Sequence, residues 1–314
     1  MLPAFETSGI ERRYSVVPIE WFDVPHGWKE RTDRYLEGAT DLFADAALSA
    51  LERARWRAED VDIIVTVSST GIATPTLEAR CKDRLGFRED VTRVPVFGLG
   101  CAGGVSGLEI ARSMAAARPR ARVLLVVVET CTLWFRSHSL GKADVIATVL
   151  FSDGAAAVCL SSKEPVANHR RIEIGDGRQS TWPDTLGIMG WNVQDDGLGV
   201  IFDRSIPDFV NREFATATDA ALTASKLERG DVDRFVCHPG GAKVIAAIER
   251  ALGLRTGSLE AERDVLREAG NMSAPTVLFV LERVLRDGGS GQLLTCALGP
   301  GFTASFVPLR AEPP

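Results

Sequence analysis

Pro95-Val96-Phe97-Gly98-Leu99-Gly100-Cys101-Ala102-Gly103-Gly104-Val105-Ser106-Gly107 runs from an apolar, β-prone stretch through a glycine-rich turn into a helix start. Several readings begin there. Gly98, Gly100 and Gly103 spell GxGxxG after a strand, and Glu129 closes the next apolar run where an acid would hold a ribose, which is a dinucleotide fingerprint. The second reading puts Cys101 at the tight turn with its sulfur at a helix N-terminus, where unpaired N–H groups favour thiolate over thiol. A plainer one makes Cys101 a small residue in a packing turn. Outward from this stretch, Val61–Val67 and Arg122–Val128 are β-branched runs too continuous for a one-faced sheet, so both read as central buried strands, with Val105–Ala117 as the helix between. Ahead of them, apolar residues from Leu36 to Ala54 recur at three- and four-residue steps, one long amphipathic helix over about 34–55.

The pattern returns downstream. Phe235-Val236-Cys237 leads into a helix beginning near Lys243, Pro275 opens another to Arg286, and Leu293–Ala297 and Phe302–Val307 read as closing strands. Strands alternating with helices in two parts predict a duplicated α/β fold with sheets sandwiching helices. Trp182–Pro207, broken by Pro183, Gly187, Gly190, Gly197 and Gly199, reads as a loop-rich wall over a site or as a connector. A thiolate nucleophile needs a base and, for carbonyl chemistry, donors aimed at an oxyanion. His238, before Pro239-Gly240-Gly241, takes the mirror position of Cys101 in the second half. Asn271 lies in the polar loop Ala269–Ala274 ahead of Pro275. Taken singly, these are a turn residue and a helix cap. Together, three such turns can converge on one point at the carboxyl ends of strands.

The chain has 314 residues, 45% hydrophobic and 25% charged, the usage of a folded globular protein. Its formal charge of −6 leaves no basic footprint for nucleic acid. No window reads as a signal peptide or membrane span. Cys81, Cys101, Cys131, Cys159, Cys237 and Cys296 lack a CxxC pair, which predicts free thiols, a reducing compartment and a cytoplasmic location. No His/Cys/Asp cluster has metal-ligand spacing, so no metal is expected. His26, His138 and His169 read as surface residues, and Arg12 and Arg13 as solvated charges or part of an anion patch.

The sequence resembles the type III polyketide synthases, the chalcone synthase-like branch of the thiolase superfamily, from about Phe5 to the last strand. Gly100-Cys101-Ala102-Gly103-Gly104 is similar to the family's nucleophile turn, His238-Pro239-Gly240-Gly241 to its histidine turn and Gly270-Asn271-Met272-Ser273 to its asparagine. The resemblance implies a thiolase-like, duplicated αβαβα layered fold. Residues 1–162 would carry the nucleophile, and residues 163–314 the histidine and asparagine. Phe151, in Phe151-Ser152-Asp153-Gly154-Ala155, would be the gate between a pantetheine tunnel and the reaction chamber. Gly299-Pro300-Gly301 would shape the cyclisation cavity, Cys131 and Trp134 would line it with the indole narrowing it, Val200 would stand near a second gate, and Thr74 would reach across a homodimer interface. Met189–Val193 with Gly197-Leu198 resembles bacterial members that take fatty acyl starters and make alkylpyrones or alkylresorcinols. The implied reaction loads an acyl-CoA starter, or one from an acyl carrier protein, on Cys101 and extends it with malonyl-CoA by decarboxylative condensation, with no cofactor. Family members carry further residues ahead of the point where this chain begins, including a basic helix that holds the coenzyme A phosphates. The chain is therefore read as starting inside that helix, with the phosphates unassigned. The competing readings are a ketoacyl synthase III-like enzyme condensing once, a nicotinamide oxidoreductase, and an idle partner subunit of the same fold.

Overall fold

The computed structural model describes residues 5–136, 141–163 and 170–314; His138 and His169 lie outside them. Two mixed sheets form the frame. The first contains β1 (Ile63–Val67), β2 (Thr92–Val96), β3 (Arg122–Thr130) and β4 (Asp153–Ser161) in the order β2-β1-β3-β4, parallel except for β4. β1 and β3 are buried on both faces, as their unbroken Val/Ile/Leu runs require. The second holds β9 (Arg234–Cys237), β10 (Gly291–Gly299) and β11 (Thr303–Ala311). β9 runs parallel to β10 and β11 antiparallel to it, with short β5 (Ile172–Ile174) and β6 (Arg178–Thr181) along β11.

Helices fill three layers around these sheets. α1 (Trp28–Ala54) lays Tyr35, Ala39, Phe43, Ala47 and Leu51 on the outer face of the first sheet, with α2 (Leu77–Leu85) beside it. α3 (Gly103–Ala117) and α8 (Thr276–Arg286) lie between the sheets, where Val105, Leu108, Val277 and Val280 meet Val65, Val67, Val236 and Leu293. α5 (Ile206–Ala224) and α6 (Ala242–Ala251) cover the far face of the second sheet, with Phe214, Ile245 and Ile248 on Leu294, Cys296 and Phe306. α4 (Lys142–Leu150) leads into Phe151, and α7 (Glu260–Ala269) into Asn271. Truncating a Leu to Ala in the middle layer would cost about 2–5 kcal/mol, because neither sheet can collapse onto a helix held from both sides.

Two expectations change. The stretch Trp182–Pro207 contains an antiparallel hairpin, β7 (Met189–Gln194) and β8 (Gly197–Phe202), in place of irregular loop; its glycines sit at strand positions and hide the alternation. The mirror relation is also different. β3 and β10 are equivalent, each flanked by one parallel and one antiparallel strand. The helices leading into them, α3 and α8, make Asn271 the counterpart of Cys101. His238, just past β9, answers to Ser68-Ser69-Thr70 just past β1.

Candidate active site

Cys101 occupies a 3-10 turn, Gly100–Ala102, ahead of α3. The glycines around it serve close approach. A Cβ on Gly104 would stand 2.3 Å from the Ala274 carbonyl oxygen, and one on Gly103 would fall 2.8 Å from Val67 and 3.1 Å from Ala274. Bare backbone at these positions lets the cysteine turn and the asparagine loop touch. The second glycine pair works from behind: Gly299 packs on the Ala102 backbone and Leu99 carbonyl, and Gly100, at φ +47°, packs on Pro300. The Gly299-Pro300-Gly301 loop therefore buttresses the turn. Glu129 has no free carboxylate for a ribose. It is fully buried, accepting hydrogen bonds from Ser69 N at 2.9 and 3.1 Å and from Thr70 Oγ1 at 2.6 Å, and burial pushes its carboxyl up to about 8.

Cys101, His238 and Asn271 line one cavity with Met189, Phe202, Ile206, Phe214, Val244, Ile248 and Leu298. Its room for water is about 20 Å³, one or two molecules, and its walls are apolar apart from these three side chains and the Cys296 thiol. Asn271 is fixed by three bonds. Its N–H donates to Leu150 O, its carbonyl accepts from Ser152 N, and its Oδ1 accepts from Ser273 N at 2.8 Å. With Oδ1 engaged, the amide NH₂ is left for the cavity. Ser273, at φ +61°, brings its hydroxyl 3.5 Å from Cys101 Sγ. The sequence reading passed over Ser273; a positive-φ serine two residues from the asparagine carries no periodic signal. Both ring nitrogens of His238 are buried without a hydrogen-bond partner. Its backbone N–H donates to Cys296 O at 2.8 Å, which seats the turn after β9 against β10.

The electrostatics differ from the thiolate expected at a helix N-terminus. Burial pushes the Cys101 thiol up to about 11, with the Ser273 hydroxyl and the Asn271 amide opposing and Glu129 reinforcing it. Burial also lowers His238 to about 3. Burial thus favours the neutral thiol and the neutral imidazole, desolvation outweighing the helix end.

A second cavity of about 280 Å³, open mouth included, is lined by Cys131, Trp134, Phe135, Arg136, Asp144, Phe151, Trp191 and Val200. Two indoles fill one side of it. Trp134 Nε1 donates to Thr70 O at 2.6 Å and Trp191 Nε1 to Ser69 O at 3.0 Å. Trp134 is braced by Arg31, whose guanidinium lies between the Trp21 and Trp134 rings, and a Cβ on Gly197 would strike its ring at 2.9 Å. Trp191 was not singled out from the sequence, because it sits in the stretch read as loop. Phe151 packs edge-on to Phe202 at 6.5 Å and bridges backbone to backbone with Asn271, so it stands between the two cavities. Thr74, in a cis Thr74–Pro75 bond, is exposed in the loop before α2 and lines neither cavity. His26 is stacked on Trp21 at 3.8 Å and hydrogen-bonded to Glu30 and Trp21 O, so it is not the free surface residue expected. Arg13 is likewise drawn in, donating to Thr148 O and Phe151 O, while Arg12 is exposed. Among the described residues no cluster of three or more His, Cys, Asp or Glu is placed to hold a metal ion, and no helix is long and apolar enough to cross a membrane.

Comparison with known proteins gives the family of the chain. Residues 24–164 match the family model of the chalcone and stilbene synthases' N-terminal domain, and residues 173–312 that of their C-terminal domain. The chain is 37% identical to 1,3,6,8-tetrahydroxynaphthalene synthase of Streptomyces peucetius subsp. caesius, over 97% of this chain and 81% of that one. It is 30% identical to type III polyketide synthase A of Arabidopsis thaliana, over 90% and 74%. Among solved structures, the tetrahydroxynaphthalene synthase of Streptomyces coelicolor A3(2) superposes with a TM-score of 0.93 at 26% identity, covering 99% of this chain and 89% of that one. The C-terminal type III polyketide synthase domain of Steely1 from Dictyostelium gives 0.90 at 28%, covering 98% and 88%. With both halves of the family matched and the thiolase-like layers reproduced from end to end, the chain belongs to the chalcone and stilbene synthase family, the type III polyketide synthases.

Proposed function

We propose that this polyketide synthase loads an apolar acyl starter on Cys101 and extends it with malonyl units to an alkylpyrone- or alkylresorcinol-type product. The observation that carries the reading is the cavity at Cys101: Cys101, His238 and Asn271 meet there under walls that are apolar apart from the Cys296 thiol. In this mechanism, neutral His238 takes the Cys101 proton as sulfur attacks the starter thioester, then returns it to the departing coenzyme A sulfur. Loss of carbon dioxide from malonyl thioester leaves an enolate, whose oxygen is met by the Asn271 amide and the N–H of His238. The carbanion attacks the Cys101 thioester, the acyl–sulfur bond breaks with Cys101 leaving as thiolate, and the lengthened chain ends on the coenzyme A sulfur brought by the malonyl unit. The alkyl tail lies along Met189, Phe202, Ile206, Val244 and Ile248; room for water is small, so it enters by displacing side chains, for which unbranched Met189 is suited. Phe151 serves as the gate, and Trp134 and Trp191 narrow the chamber on its far side.

Residues 1–162 contribute the nucleophile half and 163–314 the histidine and asparagine half. The active form is taken to be a homodimer, supported by β2 at a sheet edge, exposed Phe97 at its end and exposed Ile72 beside Thr74. Coenzyme A thioesters are the donors, with an acyl carrier protein as the other route for the starter.

The names of the Streptomyces relatives favour a second reading, a naphthalene product that needs no alkyl starter. Purified protein given malonyl-CoA with a ladder of linear acyl-CoA starters, products read by mass, separates the two. Alkyl-bearing products that outpace those from malonyl-CoA alone support the first reading. A naphthalene product from malonyl-CoA alone, undiminished by competing starters, overturns it.

A further inference from the structure

Two thiols flank the His238 backbone and take no part in the chemistry above. Cys237, the last residue of β9, and Cys296 of β10 are register partners on neighbouring parallel strands, with their sulfurs 3.1 Å apart in a buried contact. Neighbouring strands lie about 4.8 Å apart, inside the Cα separation of roughly 4.4–6.8 Å that a disulfide spans. Closing the pair to a bond of about 2.05 Å therefore takes side-chain rotation and about an ångström of sulfur travel, with no change of register. No other sulfur–sulfur contact occurs among the described residues: Cys81 and Cys159 belong to the core under α1, and Cys131 to the second cavity.

The pair is wired into the site from both strands. His238 N–H donates to Cys296 O at 2.8 Å. Cys237 N–H donates to Glu262 Oε1 at 2.9 Å, and the other Glu262 oxygen accepts from Arg234 at 2.7 Å. Cys296 lines the same cavity as Cys101, His238 and Asn271, so a small molecule that reaches the candidate nucleophile also reaches this sulfur. We propose that Cys237 and Cys296 are a redox-modification site, converted by a small hydroperoxide to a cross-strand disulfide that displaces His238 and reversibly slows the enzyme.

The chemistry balances in two steps. Cys296 Sγ gives up its proton and attacks the hydroperoxide; the O–O bond breaks, an alcohol or water leaves, and a sulfenic acid remains. Cys237 Sγ then attacks that sulfur, the S–S bond forms, and hydroxide leaves as water with the second thiol proton. Two thiols lose two electrons in all, and the peroxide bond accepts them. A dithiol reverses the change.

The effect on rate rests on the role proposed for His238; formation of the bond does not, and the two are read separately. Full-length protein carrying Cys101→Ala removes the nucleophile's own oxidation. It is treated with hydrogen peroxide and then unfolded in guanidinium, so that its buried thiols are open; the remaining thiols are capped with iodoacetamide, and intact mass and peptide maps are recorded. Two thiols are expected to escape capping, with one peptide joining Cys237 to Cys296. Malonyl-CoA decarboxylation falls about tenfold or more, as small misplacements of a catalytic group do, and both changes reverse with dithiothreitol. Protein carrying Cys296→Ala as well lacks the attacking thiol, so it forms no bridge and holds its own untreated decarboxylation rate under peroxide; if it does not fold, Cys237→Ala replaces it and is read for absence of the bridge alone. Full capping after peroxide, or a bridge between other cysteines, overturns the site. A bridge at Cys237–Cys296 with an unchanged rate, in protein that decarboxylates beforehand, overturns the control of His238. Protein with no decarboxylation even when reduced counts against the role given to His238, while the mass result still decides the bond.

Discussion

Two turns hold the same place in the two sheets and have opposite fates. After β1, Ser68-Ser69-Thr70 spends its polar groups on the structure. Ser69 Oγ accepts from Gly98 N and Gly100 N, Ser69 N donates to Glu129, the Ser69 and Thr70 carbonyls accept the two indoles, and Thr70 Oγ1 donates to Glu129. After β9, His238 keeps both ring nitrogens buried and unspent. Buried polar groups left without partners are costly, so a fold keeps them where a ligand completes the bonding. The satisfied turn makes the cysteine turn rigid, and the unsatisfied one faces the cavity where reaction would occur.

That contrast can be broken at several points. The largest effect is expected at the nucleophile: Cys101→Ala abolishes product while malonyl-CoA decarboxylation persists, since the enolate donors survive; unchanged product yield removes Cys101 from the mechanism. Next, Asn271→Ala depresses decarboxylation about a hundred- to a thousandfold but leaves a starter acyl group detectable on Cys101 by intact mass. Loss of loading with normal decarboxylation contradicts the donor role. The third is a pH test. A thiol pushed up to about 11 is protonated at neutral pH, and its thiolate fraction rises about tenfold for each pH unit below that value. Alkylation of Cys101 by iodoacetamide should therefore climb steadily through alkaline pH, whereas a plateau from neutral pH upward means a preformed thiolate–imidazolium pair. The smallest effect belongs to the satisfied turn. Ser69→Ala strands the buried N–H of Gly100 and releases that of exposed Gly98 to water, and should cost about 1–3 kcal/mol of stability, read from the denaturant midpoint at constant slope, with turnover kept within a few-fold. A drop in turnover rivaling that of Asn271→Ala, without lost stability, would erase the distinction between the turns.

The layers could be read from the sequence because their signal is local. The apolar runs of β1 and β3 and the periodicity of α1 lie within a residue or a few of the observed elements, α1 starting earlier, at Trp28. α5 went unread although Val210, Phe214, Ala217 and Ala221 recur at helical steps after Pro207; the irregular stretch before it drew the boundary too late. The candidate residues Cys101, His238 and Asn271 stood out because each follows or carries a glycine turn and matches a family motif. What sequence could not give was partnership. The engagement of Glu129 with Ser69, the place of Asn271 as the counterpart of Cys101, and the neutral state of the site all depend on contacts made across 60 to 170 positions of chain.

The β7–β8 ribbon pairs only with itself, yet its inner face supplies Met189 and Phe202 to one cavity and Trp191 and Val200 to the other. Exchanges along this single strip can recut both chambers while neither large sheet changes a hydrogen bond. Variants confined to Met189, Trp191, Val200 and Phe202 would therefore vary the shape of both chambers while the turns that carry Cys101, His238 and Asn271 stay as they are.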